Sequence, residues 1–290
     1  MNAHSNRATL LSLLIVTLIA AACSQPSNGG NHAGSILNRV KQDHVIHAGF
    51  IKYPPFVDVD PNTHKPSGYF IDVMEEVRSR MGKDMKIQYE ETTWGTMVAG
   101  VQSKRFDVIV SGIFSTIPRA MEVTFSRPLL FVGLSAVTRA NETRFVTEAD
   151  LQKSGLTVAV TAGEVGHEYA QKYLPNAKLI VIDTPDITRP MLEVLSGRAD
   201  IGIADSMSCY NFVSAHPNDA KQLFASKPLY VYATTLLVPR QDPDWKDFLD
   251  QSLAFLDYSG ITKSIEAKYK KGSTAWLSTT LPFALPAADR

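Results

Sequence analysis

The sequence predicts an α/β protein with two lobes of related design, each centred on a mainly parallel sheet with helices on both faces. Three observations carry this expectation. From Val45 onward, short apolar runs alternate with amphipathic stretches, the rhythm of consecutive strand–helix units. Two longer strand-like apolar runs, 129–138 and 230–238, stand apart from that rhythm. Finally, Ser103-Lys104-Arg105-Phe106-Asp107-Val108-Ile109-Val110 is echoed by Ser196-Gly197-Arg198-Ala199-Asp200-Ile201-Gly202-Ile203. Each reads as a helix end, a turn and a buried strand. In open α/β sheets, ligands sit outside such strand ends.

The elements follow in order. Residues 45–50 read as a strand that stops at Tyr53-Pro54-Pro55-Phe56, where two prolines forbid ladder pairing. Asp60-Pro61-Asn62 to Pro66 is a turn cluster. A helix begins near Ser67, its expected N-cap. Phe70, Val73, Met74, Val77 and Met81 share one of its faces, and Gly82 ends it. Strand 85–89, a short helix opening near Trp94 and strand 106–110 come next. After a loop and the run 129–138, strand 157–160, helix 164–173, strand 178–182, helix 186–195 and strand 199–203 repeat the pattern. Helices 244–256 and 262–269 follow the run 230–238. The tail beyond Lys271, with Pro282 and Pro286, is expected to be peripheral.

A chain of 290 residues can build one large core or two medium ones. Apolar residues make up 44% and charged residues 20%, ordinary for a globular protein. Basic and acidic residues number 29 each, with no block of like charge, so no electrostatic ground exists for a nucleic-acid partner. Cys23 and Cys209 support neither a disulfide framework nor a zinc site, and the seven His residues show no metal-like clustering. No cofactor or metal is expected.

The N-terminus points to export. Arg7 precedes an apolar run over 8–22, too short for a membrane span of roughly 20 residues. A basic start, a short apolar region and small residues at its end describe a signal peptide over 1–22. Ala20-Ala21-Ala22-Cys23 resembles a lipoprotein box, in which Cys23 becomes the lipidated first residue; cleavage after an Ala-x-Ala site is the alternative. The polar, Gly-rich stretch 24–35 cannot bury a core, and residues 23–43 are assigned to a flexible tether. The expected location is the periplasm or the outer face of the membrane. Cys209, left without a partner, is expected to be a small buried hydrophobe.

Residues 111–128 read SGIFSTIPRAMEVTFSRP. Gly112, Thr116-Ile117-Pro118-Arg119 and Phe125-Ser126-Arg127-Pro128 resemble the signature of the family-3 extracellular solute-binding proteins, the polar amino-acid receptors of ABC transporters. Tyr53-Pro54-Pro55-Phe56, Gly68 with Asp72, and Ser196-Gly197-Arg198-Ala199-Asp200 running to Asp205 agree in order and spacing. The resemblance covers residues 44–272. It implies a type II periplasmic-binding-protein fold: two α/β lobes joined by a two-strand hinge. Lobe 1 would comprise 44–130 and 234–272, lobe 2 would comprise 131–233, and 273–290 would form a tail.

The physics of an amino-acid ligand fits these residues. Arg119 can hold a planar carboxylate through two parallel hydrogen bonds. Backbone N–H groups at Ser111 and Gly112 could add donors. Asp205, directly after an apolar strand, is suited to receive an ammonium, although it also reads as the N-cap of the next helix. The alternatives are a surface Arg119 at a helix end, and Tyr53 and Trp94 as core aromatics. The resemblance implies that Tyr53, Trp94, Phe114, Thr161, Gly163, Glu164 and Val165 also face the ligand. Asp72 reads as a first-turn helix carboxylate. The expected protein is a monomeric binder rather than an enzyme. It closes on a small molecule with a carboxylate and an amine, and hands it to an ABC transporter permease.

Two departures from the family pattern matter. Phe114 stands where Ser or Thr usually touches the ammonium, and Val165 where a second hydroxyl is common. With Tyr53 and Trp94 they imply an aromatic pocket, and a ligand less polar than Arg or His, or one with a substituted amine held by cation–π contacts. A competing reading is a cyclohexadienyl-dehydratase-like enzyme, which the stretch from Gly163 through Asp205 to Pro239-Arg240 loosely resembles. Ser208 stands where that subgroup has an acid and cannot protonate a leaving hydroxyl as a carboxylic acid would. A third reading is a sensor subunit that presents its ligand to a membrane receptor.

Overall fold

The computed structural model describes residues 34–270, 273 and 275–278. Cys23, the expected signal peptide over 1–22 and residues 24–33 of the expected tether lie outside the described residues. The elements are α1 (Ile36–Asp43), β1 (Val45–Phe50), β2 (Asp58–Val59), β3 (Pro66–Ser67), α2 (Tyr69–Met81), β4 (Lys86–Glu91), α3 (Met97–Gln102), β5 (Val108–Phe114), α4 (Ile117–Glu122), β6 (Thr124–Phe125) and β7 (Leu130–Arg139). There follow β8 (Thr157–Thr161), α5 (Val165–Tyr173), β9 (Lys178–Ile182), α6 (Arg189–Leu195), β10 (Ile201–Asp205), α7 (Ser206–Ala215), β11 (Ala220–Leu223), β12 (Tyr230–Val238), α8 (Pro243–Tyr258), α9 (Ile261–Lys270) and β13 (Trp276–Ser278).

The main sheet runs β4-β1-β5-β12-β7-β10-β8-β9. Its two ends, β4-β1-β5 and β10-β8-β9, are parallel, as helical crossovers require. Between them β7 and β12 pair antiparallel, from Tyr230↔Leu134 to Thr234↔Leu130. These are the two long apolar runs of the sequence, and they carry the chain between two α/β lobes. β5 and β10 are buried at every position, as strands covered on both faces must be.

The internal echo is a structural repeat. Ser103 and Ser196 cap α3 and α6, and the next residues, Lys104 and Gly197, take positive φ of 63° and 77°. Asp107 then accepts the His47 N–H at 2.7 Å, and Asp200 accepts the Thr157 N–H at 2.8 Å. Each carboxylate fastens a turn to the neighbouring parallel strand. Each is also reached by an arginine, Arg39 and Arg144 respectively.

Four expectations need correction. The tether assignment runs too far, because 36–43 folds as α1. Ser35 Oγ accepts the Asn38 N–H at 3.2 Å, Val40 is fully buried, and the Ile36 N–H reaches Asp242 Oδ2 at 2.5 Å. Ser67 belongs to β3 and does not cap α2. The N-cap is Gly68 at φ 119°, where a β-carbon would stand 2.6 Å from the Phe56 carbonyl oxygen. β5 continues through Ser111 and Gly112 to Phe114, past a register shift against β12, with Gly112 at φ 67° and the Phe70 ring packed on its α-carbon. The tail is not wholly peripheral: β13 pairs with β7, and Trp276 is buried 4.9 Å from the Phe56 ring and 5.1 Å from Tyr69.

Candidate functional site

Arg119 sits on α4, whose N-terminus Thr116 caps through Oγ1 and where Pro118 occupies the first turn. Its guanidinium is buried at the boundary between the two ends of the sheet. Nη1 donates to the Phe114 carbonyl at 3.1 Å. Nη2 donates to the Gly163 carbonyl at 2.7 Å and lies 3.2 Å from Glu168 Oε1 on α5. Burial pulls its pKa below the usual arginine value, partly offset by the charges of Glu168 and Glu164.

Gly163 turns out of β8 at φ 74°. Glu164 caps α5, accepting the Gly166 N–H on Oε2 at 2.5 Å. Its carboxyl is buried, and that burial pushes its pKa up to about 8. The Gly166 N–H opposes the shift, and the charge of Asp205 reinforces it. Asp205 ends β10 and caps α7, accepting the Met207 and Ser208 N–H groups on Oδ1, both at 2.9 Å. Burial raises its pKa as well. The N-cap uses Oδ1; the Tyr53 and Ser208 hydroxyls lie near enough to the carboxylate to favour its charged form, though neither hydroxyl nor Oδ2 forms a well-aligned hydrogen bond.

The aromatic residues line this region. Tyr53 meets Trp94 edge-on at 5.7 Å and is close enough to Asp205 for each to perturb the other's ionisation. Phe114 stacks on Tyr232 at 5.2 Å and 5°, and Tyr232 stacks on Tyr230. Val165 is buried beneath the same turn as Glu164. Ser111 turns elsewhere: its hydroxyl accepts the Ile51 N–H at 2.6 Å and binds β5 to β1. Asp72 accepts the Tyr269 hydroxyl at 3.0 Å and joins α2 to α9. Cys209 is fully buried, as expected.

Six buried side-chain polar atoms among the described residues lack a hydrogen-bond partner. Five belong to this region: Tyr53 OH, Trp94 Nε1, Thr161 Oγ1, Asp205 Oδ2 and Ser208 Oγ. Buried polar groups are normally paired, and leaving one unpaired costs about 1–3 kcal/mol. Five of the six therefore fall in one region, where the chain itself leaves polar groups unsatisfied. Sequence reasoning did not single out Tyr232 or Glu168, and it weighed Ser208 only for catalysis, as the replacement for an acid. Glu168 lies one helical turn beyond Glu164 on α5, which was the available signal.

A sequence profile of the bacterial extracellular solute-binding proteins, family 3, matches residues 46–272. The chain belongs to this family. This solute-binding protein is 27% identical to the L-cystine-binding protein TcyA of Bacillus subtilis over 216 residues, 72% of this chain and 77% of that one. It is 24% identical to the cyclohexadienyl dehydratase of Pseudomonas aeruginosa over 227 residues, 76% of this chain and 82% of that one. The crystal structure of a cysteine-binding protein from Campylobacter jejuni superposes with a TM-score of 0.73 at 22% identity, covering 82% of this chain and 94% of that one, which supports the fold. Among the described residues of the solute-binding protein, no helix is long and apolar enough to cross a membrane.

Proposed function

We propose that this protein captures a small amino-acid-like molecule between its lobes, 44–130 with 234–272 and 131–233, and delivers it to an ABC transporter permease. Asp205 Oδ2, with the Tyr53 and Ser208 hydroxyls, receives the ammonium. Arg119, already paired with Glu168, is the cation that a ligand carboxylate would have to reach, and Trp94, Phe114, Gly163, Glu164 and Val165 close around the body of the ligand. In this reading the chain is exported, held to the membrane by lipid on Cys23, and acts as a monomer. The observation that carries it is the set of unpartnered buried polar atoms, Tyr53 and Ser208 hydroxyls beside the Asp205 carboxylate among them. The relative that binds L-cystine supports the ligand class.

Thermal-shift screening of the mature protein against amino acids, amines and aromatic acids tests the reading, because a ligand that binds only the folded state raises the melting temperature. We expect at least one amine-bearing compound to do so without being consumed. A protein indifferent to all of them would defeat the proposal.

A second reading, catalysis, is favoured by one observation. Glu164 is a buried carboxylic acid with pKa about 8 beside the cleft, so at neutral pH it holds a proton to give. A dehydratase stands among the relatives. Loss of a ring acid with formation of product would establish this reading in place of binding alone.

A further inference from the structure

Resting on the binding reading above, we propose that Glu168 is a resident competitor for the ligand carboxylate, so that the site prefers amines that lack one. A guanidinium offers a carboxylate two two-pronged faces, Nη1 with Nη2 and Nε with Nη2. Both need Nη2. In Arg119 that nitrogen is committed, to the Gly163 carbonyl at 2.7 Å and to Glu168 Oε1 at 3.2 Å. Nη1 is engaged by the Phe114 carbonyl. A ligand carboxylate gains a bidentate grip only by displacing a carboxylate already there.

The opposite end of the site has no such occupant. Asp205 is buried and makes no ion pair with a Lys or Arg among the described residues, and its Oδ2 is unpartnered. With Arg119 and Glu168 neutralising each other, the remaining groups ask for positive charge and hydrogen-bond donors. The lining is aromatic, with Trp94 and Tyr53 at one side and Phe114 stacked on Tyr232 at the other. An organic ammonium ion with an apolar body satisfies this arrangement and leaves the Arg119–Glu168 pair intact. A zwitterion must break that pair. Glu168 thereby sets specificity through Arg119.

The experiment compares matched probes by calorimetry on the mature protein: phenylalanine with phenethylamine, leucine with isopentylamine, and lysine with cadaverine. The native protein should bind the amine of at least one pair more tightly than its amino acid. Glu168→Gln keeps the side-chain volume but removes the competing charge. It should move the preference of that pair by about tenfold toward the amino acid. Circular dichroism and melting of the variant verify that it is folded, and Glu168→Asp should stay close to native preference. Amino acids favoured over their amines in the native protein, with the ratio unmoved in Glu168→Gln, would overturn the inference while leaving the binding reading intact. Silence from every probe in both forms would overturn the inference, while the wider thermal-shift screen decides the binding reading.

Discussion

A β-carbon placed on Gly163 would stand 2.9 Å from the carbonyl oxygen of Trp94, so these two residues, from opposite halves of the sheet, meet backbone to backbone. Gly163 also sits at φ 74°, a conformation that costs an L-residue roughly 1–2 kcal/mol. Gly163→Ala should therefore obstruct closure more than folding. The expected outcome is a melting temperature lowered by a few degrees and a ligand affinity lowered by about tenfold or more. Scattering should show a larger radius of gyration for the variant in saturating ligand; an unchanged affinity would show that the contact is dispensable.

Asp205 performs two tasks that substitution can separate. Asparagine keeps the oxygen that caps α7, so Asp205→Asn should unfold at nearly the native urea midpoint, while Asp205→Ala should lose about 1–2 kcal/mol. Both should weaken amine binding by about a hundredfold, the cost of losing a charged hydrogen-bond acceptor. Retained amine affinity in the folded asparagine variant would assign the carboxylate to capping alone.

Glu164 gives stability a direction with pH. Its pKa rises from the ordinary 4.5 to about 8 on folding. The folded chain therefore holds a proton that the unfolded chain releases across that interval. Stability should be fullest below about pH 4.5 with respect to this group and should decline as pH rises to 8. Asp205 shifts in the same direction. Glu164→Gln should flatten the decline and exceed the native protein at pH 8 by roughly 4 kcal/mol, read from urea unfolding at several pH values.

Trp276 is fully enclosed among rings contributed by Phe56 and Tyr69. Trp276→Ala should cost about 3–5 kcal/mol, the penalty of emptying a large aromatic site. A mere surface strand would tolerate the change, and equilibrium unfolding distinguishes the two.

Much of the fold was legible because local chemistry decided it. The strands over 45–50, 178–182 and 230–238 have the bounds that their apolar runs and flanking turn residues announce. β5 ran longer than expected because Gly112 reads as a loop residue, whereas here its missing side chain admits the Phe70 ring and the strand continues past a shift in register. The docking of Trp276 left no periodic trace, since its pocket is made by residues some two hundred positions away. Within the site, Arg119 and Asp205 were named from their chemistry and Tyr53, Trp94 and Gly163 from the family resemblance, and the structure brings these residues into one region. Glu168 and Tyr232 were not named, because their importance arises only when α5 and β12 are brought against Arg119 and Phe114.

The register of β7 with β12 sets Phe131 directly opposite Ala233. The chain thus leaves one half of the sheet and returns to it at adjoining rungs, with everything between forming an uninterrupted excursion. On a ribosome that excursion possesses β8 to β11 and most of β7 once residue 233 has emerged, lacking only the late strand β13, while the other half still waits for most of β12 and for α8 and α9. The later-numbered half can assemble first, and the half that began synthesis is finished last.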